Sequence, residues 1–199
     1  MKSTSTMKPT LTFAIFIITH ALTLHCIASE LATEQPPTTK TYYNLLDIKG
    51  ISTSTNARCA TITSSGLTWE LKTDDGGIHD KDNVYRWGGL GAEKNATIFF
   101  DDWNSLLNAA NTEKLCGFND WRVPTIDELK TLITNTGGKP VIDTAIFSLT
   151  QAMPYWSIST YLHYPEHAQT VDFATGASNY YNGFRGDRLP LHLVRGHKK

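Results

Sequence analysis

From Tyr42 onward the apolar positions fall into short runs separated by polar, Gly-containing stretches. Tyr42 to Ile48, Arg58 to Ile62 and Leu67 to Leu71 read as three short strands. Thr63-Ser64-Ser65-Gly66 between the last two suits a tight turn, because glycine enters the left-handed region without a Cβ clash. Residues 50–57 are turn-like and residues 72–83 form a polar loop. Tyr85-Arg86-Trp87 then runs into a second loop at Gly88, Gly89 and Gly91.

Helical spacing is predicted in two places. Trp103, Leu106, Leu107 and Ala110 fall at i, i+3, i+4 and i+7, which predicts a helix over about 102–110, capped by Asp101 or Asp102. Thr125-Ile126-Asp127-Glu128 is a capping box, in which the Thr hydroxyl accepts from the Glu128 N–H and the Glu128 carboxylate reaches back. Ile126, Leu129, Leu132 and Ile133 extend that helix along one face until Gly137-Gly138. After Pro140 the pattern returns to short strands at 156–159, 170–173, 178–181 and 191–195, with Gly176 at hairpin spacing between the second and third. The predicted class is α+β, two short helices on antiparallel strands.

The N-terminus follows a different pattern. Lys2 and Lys8 precede an uncharged stretch from Leu11 to Ser29, and Glu30 is the first acidic residue. A basic start, an apolar core and small residues predict a secretory signal peptide over 1–29, cleaved after Ala28 or Ser29. A spanning helix needs roughly 20 solidly apolar residues. His20, His25 and several Thr interrupt this one, so no stable membrane span is expected after cleavage. Cys26 offers a lipid anchor, but His25 stands where lipidation requires a small residue. Residues 30–57, with Pro36-Pro37, read as a linker with a candidate first strand.

Charge narrows the function classes. The chain carries 18 Lys+Arg against 19 Asp+Glu. Removing residues 1–29 takes Lys2 and Lys8 and no acid, leaving 16 basic against 19 acidic side chains, a net −3. Such a balance argues against nucleic-acid binding, which needs a basic face. With 40% apolar residues the chain holds enough for a core, and 27 Thr with 21 aromatic residues favour strands. Beyond the signal only Cys59 and Cys116 remain. Two cysteines in an exported chain point to one disulfide closing a 57-position loop; no Cys-x-x-Cys or close ligand spacing supports a metal or nucleophilic pair.

Five blocks carry a resemblance: Ser64–Trp87, Leu115–Ile133, Tyr155–Thr160, Val171–Gly176 and Leu191–Gly196. The central block has the pattern G-x-x-D-W-R-x-P-T-x-x-E-L, from Gly117 to Leu129. In order and spacing they resemble the bacterial domain typified by the C-terminal domain of the collagen-like adhesin Lcl, over residues 58–196, leaving 197–199 as a basic tail. The resemblance implies an exported or surface-exposed protein with a C-type-lectin-like fold, shared with formylglycine-generating enzymes, and an adhesive role toward glycans. This chain lacks a collagen-like stalk, and its mature charge is negative. Both weaken the case for sulfated glycans, which want clustered Lys and Arg.

Most conspicuous motifs have a structural reading. Trp121 has the size of a core anchor, Arg122 can pair with Asp120, Asp127 or Glu128, and Pro124 with Thr125 sets the helix entry. Asp74, Asp75, Asp80 and Asp82, with Asn83, are hard oxygen ligands of the kind Ca²⁺ takes. They match neither the EF-hand register nor the Glu-Pro-Asn or Gln-Pro-Asp lectin signature, so solvated turn acids are the plainer reading and no metal is assigned. Ser157 and Ser159 share a strand face, and His163 or His167 could serve either as a base, but no Gly-x-Ser-x-Gly elbow supports a nucleophile. No Cys follows Cys116, which removes the late thiols of the formylglycine-generating reaction. The expectation is therefore a non-enzymatic binding module. Tyr180, Tyr181 and Phe184, with Arg185 and Arg188, are the candidate ligand contacts, since aromatic faces stack on sugars and Arg forks hold anions. An envelope protein partner or self-association is the alternative, which exposed Trp87 or Trp156 would mark.

Overall fold

Strand pairing organises the molecule around two small antiparallel sheets. In this computed structural model the described residues are 42–89, 92, 102–135, 137–179 and 183–196. The predicted signal, Cys26, residues 30–41, Asp101, Tyr180, Tyr181 and the basic tail lie outside them. The first sheet has the order β1 (Tyr43–Leu46), β2 (Cys59–Ile62), β3 (Thr68–Glu70) and β7 (Val194–Arg195). The second is β4 (Pro154–Thr160), β5 (Ala168–Asp172) and β6 (Ser178–Asn179). Helix α1 spans Asn104–Thr112 and α2 spans Ile126–Lys130. The class is α+β.

The β2–β3 hairpin closes through Gly66, at φ +74°, whose N–H donates to the Ile62 carbonyl at 2.8 Å. In register, Ala60 faces Trp69, and Trp69 faces Val194. β1 belongs to the same sheet, pairing Leu46 with Cys59 and Tyr43 with Ile62.

Three elements are shorter or later than the pattern predicts. Helix α1 begins at Asn104 because Asp102 is extended, bridged to Arg86, while its Oδ1 accepts from the Asn104 N–H at 2.9 Å. Helix α2 has only five residues. Past Thr131 the chain turns out to bridge Ile133 with Ile142, and the Thr134 N–H donates to Val141, so Leu132 and Ile133 leave the helix well before Gly137. Residues 191–193 are not strand. The Glu70 carboxylate takes the Leu193 N–H at 3.1 Å, substituting a side chain for a ladder partner.

All five tryptophans are buried, at 3% exposure or less. Trp87 and Trp103 meet edge to face at 5.6 Å. The indole of Trp87 donates to the Ser157 carbonyl and that of Trp156 to the Tyr85 carbonyl, each at 2.7 Å, stitching the loop after β3 onto β4. Trp87 and Trp156 are fully inside, so neither marks a docking face.

Cys59 and Cys116 form a disulfide within this tryptophan-rich core. It ties β2 to the 3₁₀ turn Leu115–Gly117 that follows α1. Gly50 packs so tightly on the Cys116 carbonyl that a Cβ there would collide with it. Closing a 57-residue loop stabilises the fold by about 4 kcal/mol in the chain-entropy account. Replacing both cysteines by alanine is expected to lower the melting temperature by about 10 °C, measured by scanning calorimetry. Equal melting temperatures would mean that the bridge adds no stability.

Candidate functional site

The Asp-Trp-Arg-Val-Pro-Thr segment connects elements. The Trp121 indole donates to the Leu115 carbonyl at 3.0 Å, and the Trp121 N–H to Asn111 Oδ1 on α1 at 2.7 Å. The Arg122 backbone exchanges two 2.9 Å hydrogen bonds with Val194 on β7. Its guanidinium donates to both Glu128 oxygens, at 2.8 and 2.6 Å, and to the Gly196 carbonyl at 2.8 Å. Burial pushes the Glu128 carboxyl up, but Arg122 and the Thr125 N–H outweigh it and hold it below the usual range. Thr125 and Glu128 complete the capping box. Asp120 is held by Arg195 instead, at 2.7 and 2.9 Å, and Arg195 lies over the Phe118 ring at 3.9 Å.

The acidic loop folds on itself. Asp74, Asp80 and Asp82 bring carboxylate oxygens within 4.8 Å of one another. The Lys81 ammonium bridges two of them, 3.1 Å from Asp74 and 2.6 Å from Asp82, and its pKa is raised by those bonds. Asp80 accepts from the backbone N–H groups of Asp82, Gly76 and Asp75, which lower its pKa. Asp75 turns away toward Gly77 N–H and Thr73. The oxygens a cation would need are thus engaged with a lysine and with backbone.

The strand serines are also engaged. Ser157 Oγ donates to the Gln169 carbonyl at 2.7 Å, and Ser159 Oγ accepts from the Ile126 N–H at 3.0 Å. The disulfide leaves no free thiol among the described residues.

Among the expected ligand contacts, Arg185 is 8% exposed and stacks its guanidinium on Trp87, 4.1 Å from the ring centroid. Arg188 is exposed. Phe184, at 47% exposure, lies outward and meets His167 at 5.8 Å. From there an aromatic strip runs along the β4–β5 connection. His167 meets Tyr164 at 6.0 Å, Tyr164 stacks on Tyr161 at 5.9 Å and 9°, and Tyr161 meets His163 at 5.7 Å. Leu162 protrudes beside it at 90% exposure. Tyr161 and Tyr164 carry no motif; the available signal was four ring-bearing residues within seven positions of a loop, 161–167.

A second polar centre is buried. Glu70, fully inaccessible, meets Lys72 at 3.0 Å and His79 Nδ1 at 2.6 Å, and His79 Nε2 reaches Glu113 at 2.6 Å. Burial pushes the Glu70 carboxyl up, yet the Lys72 and His79 contacts bring it down to about 2. His192 stacks on Tyr155 at 5.1 Å and 11°, with Nε2 3.0 Å from Thr150 Oγ1. Burial, reinforced by the nearby Lys72 charge, lowers its pKa to about 3. Sequence reasoning singled out none of Glu70, His79 or Thr150, because none sits in a motif and what brings Glu70, His79 and Glu113 together is tertiary.

A family model, the Lcl C-terminal domain, matches residues 59–195, more than half of the chain. The chain belongs to the Lcl C-terminal domain family. No curated protein and no solved structure matches it. Membership makes this an adhesin-related module, and a disulfide of this kind is typical of oxidising compartments, which fits an exported protein. No helix among the described residues is long and apolar enough to cross a membrane.

The buried histidine makes stability of this Lcl-type domain acid-sensitive. His192 is held neutral, with its pKa moved from 6.5 to about 3, so the folded state binds fewer protons than the unfolded chain between those values. Its contribution is complete above pH 6.5 and is lost as pH falls toward 3. Wild-type unfolding free energy is expected to drop by about 2 kcal/mol more between pH 7 and pH 5 than that of His192→Phe. Urea titrations at both pH values measure this. Parallel losses would remove His192 as the cause.

Proposed function

We propose that the protein is an exported, non-enzymatic glycan-binding module, and that the aromatic strip Tyr161–His163–Tyr164–His167–Phe184 with Arg188 is its ligand-contacting face. The observation that carries this reading is the run of ring contacts from His163 to Phe184, in which Tyr164 and Phe184 are exposed. Flat sugar faces present C–H groups that pack on aromatic rings, while ring hydroxyls seek hydrogen-bonding groups of the kind His163 and Arg188 offer. Tyr180 and Tyr181, close to Phe184 in sequence, are part of the same proposal. Family membership in an adhesin-associated group supports the reading, as does the C-type-lectin-like architecture that we assign to two short helices on two small antiparallel sheets. With a mature net charge of −3, the favoured glycans are neutral or sparsely charged. Envelope location, with the signal at 1–29 removed, is part of the same proposal.

Glycan-array binding and heparin-column retention of the mature protein test it. Tyr164→Ala and Phe184→Ala each remove a half-exposed ring, so folding is retained, and each is expected to weaken glycan binding by about five- to tenfold. Absence of any retained glycan at low salt, or variants that bind like the wild type, would overturn the reading. A protein partner is the second reading, favoured by Leu162, whose 90% exposure offers nothing to a sugar hydroxyl. Crosslinking in the native envelope that depends on Leu162 while glycan binding is absent would select it.

A further inference from the structure

Segment 145–150 stands off from the first sheet and leaves a cavity of about 160 Å³. Leu45, Ala57, Leu71, Ile146, Phe147 and Leu149 give it an apolar wall. Its polar lining is Lys72, Ser148, Thr150 and His192.

Lys72 is the unusual member. Its side chain is only 4% exposed, yet among the described residues its one partner is Glu70, at 3.0 Å. An ammonium carries three donors. A buried donor left unmade costs about 1–3 kcal/mol, so the open N–H directions call for acceptors in the cavity. The Lys72 charge, in contrast, is already balanced by the Glu70 carboxylate against it. An added anion would leave uncompensated charge beside this buried pair, which is costly. The space beside Lys72 therefore suits a group that accepts hydrogen bonds without bringing charge.

We infer that this cavity is a binding site for a small neutral ligand, an alcohol, phenol or carbonyl compound. Its oxygen takes the Lys72 ammonium and its apolar body lies against Ile146, Phe147 and Leu149. A cavity of about 150 Å³ holds benzene, so the ligand has about six to eight heavy atoms. The site is separate from the aromatic strip and does not rest on the glycan reading.

Saturation-transfer and chemical-shift NMR on the purified protein tests the assignment, with phenol, benzene and benzoate as probes. Phenol is expected to bind in the millimolar range, more tightly than benzene or benzoate. Lys72→Met is expected to weaken phenol by about tenfold and to leave benzene unchanged. Ala145→Trp leaves the ion pairs untouched, replaces an exposed alanine on the cavity wall, and is expected to abolish phenol binding. It decides the matter if Lys72→Met does not fold. No phenol transfer in the wild type would mean that water alone fills the space. That result would overturn the inference, as would benzene matching phenol, benzoate outcompeting it, or Ala145→Trp binding phenol normally.

Discussion

The constraint on which the fold depends is the path of the chain from Trp121 to Ile126. Its backbone reaches two sheets at once. Arg122 pairs with Val194 on β7, while the Pro124 carbonyl accepts from Ile158 and the Ile126 N–H donates to Ser159, both on β4. The sheets share no strand, and this six-residue connector hydrogen-bonds to both of them. Proline at 124 fixes φ just before the N-cap Thr125. Glu128 then closes the corner, satisfying the helix N-terminus and the Arg122 guanidinium with one carboxylate. The long family motif is thus a joint, and its residues are explained by connection before any ligand is invoked.

A joint of this kind leaves polar groups inside, and Glu70 shows how they are accommodated. A lone buried carboxylate would be expensive. Here it accepts from Lys72, His79 and the Leu193 N–H, and that last bond is why β7 shortens to two residues. The neighbouring acidic loop resolves its charge locally through Lys81 and backbone N–H groups. Interior charge and surface charge are therefore both balanced by identifiable partners.

The sequence made the local features legible. The Gly66 turn, the Thr125–Glu128 box and the pairing of the two mature cysteines follow from residue chemistry within short reach or from elimination, and the structure contains all three. Lcl C-terminal membership was legible because Gly117 to Leu129 is a long, ordered motif. Element ends were less so. Leu132 and Ile133 keep helical spacing but are claimed by the Ile133–Ile142 bridge, and Leu191 to Leu193 have strand composition but yield to the Glu70 carboxylate. The first outcome is decided by a residue nine positions on, the second by one 123 positions away. Arg185 illustrates the same limit at the candidate site. Its neighbours suggest an outward fork, whereas the Trp87 ring, almost a hundred positions earlier, provides a surface for it to cover.

The distribution of rings gives the surface its independence. The tryptophans, with the largest apolar area, are all enclosed, and their N–H groups bond backbone carbonyls across elements wherever such bonds form. Tyr42 apart, the exposed Tyr and Phe rings among the described residues, Tyr164 and Phe184, belong to loops leaving β4 and preceding β7, and they touch one another through His167 rather than through the core. A change in the strip alters stacking area without opening a cavity, whereas a change in Trp87 or Trp121 breaks a cross-element bond. A scaffold divided in this way can hold its joint and disulfide fixed while the β4–β5 connection varies. Under the binding reading proposed above, specificity resides in the length and ring content of that connection.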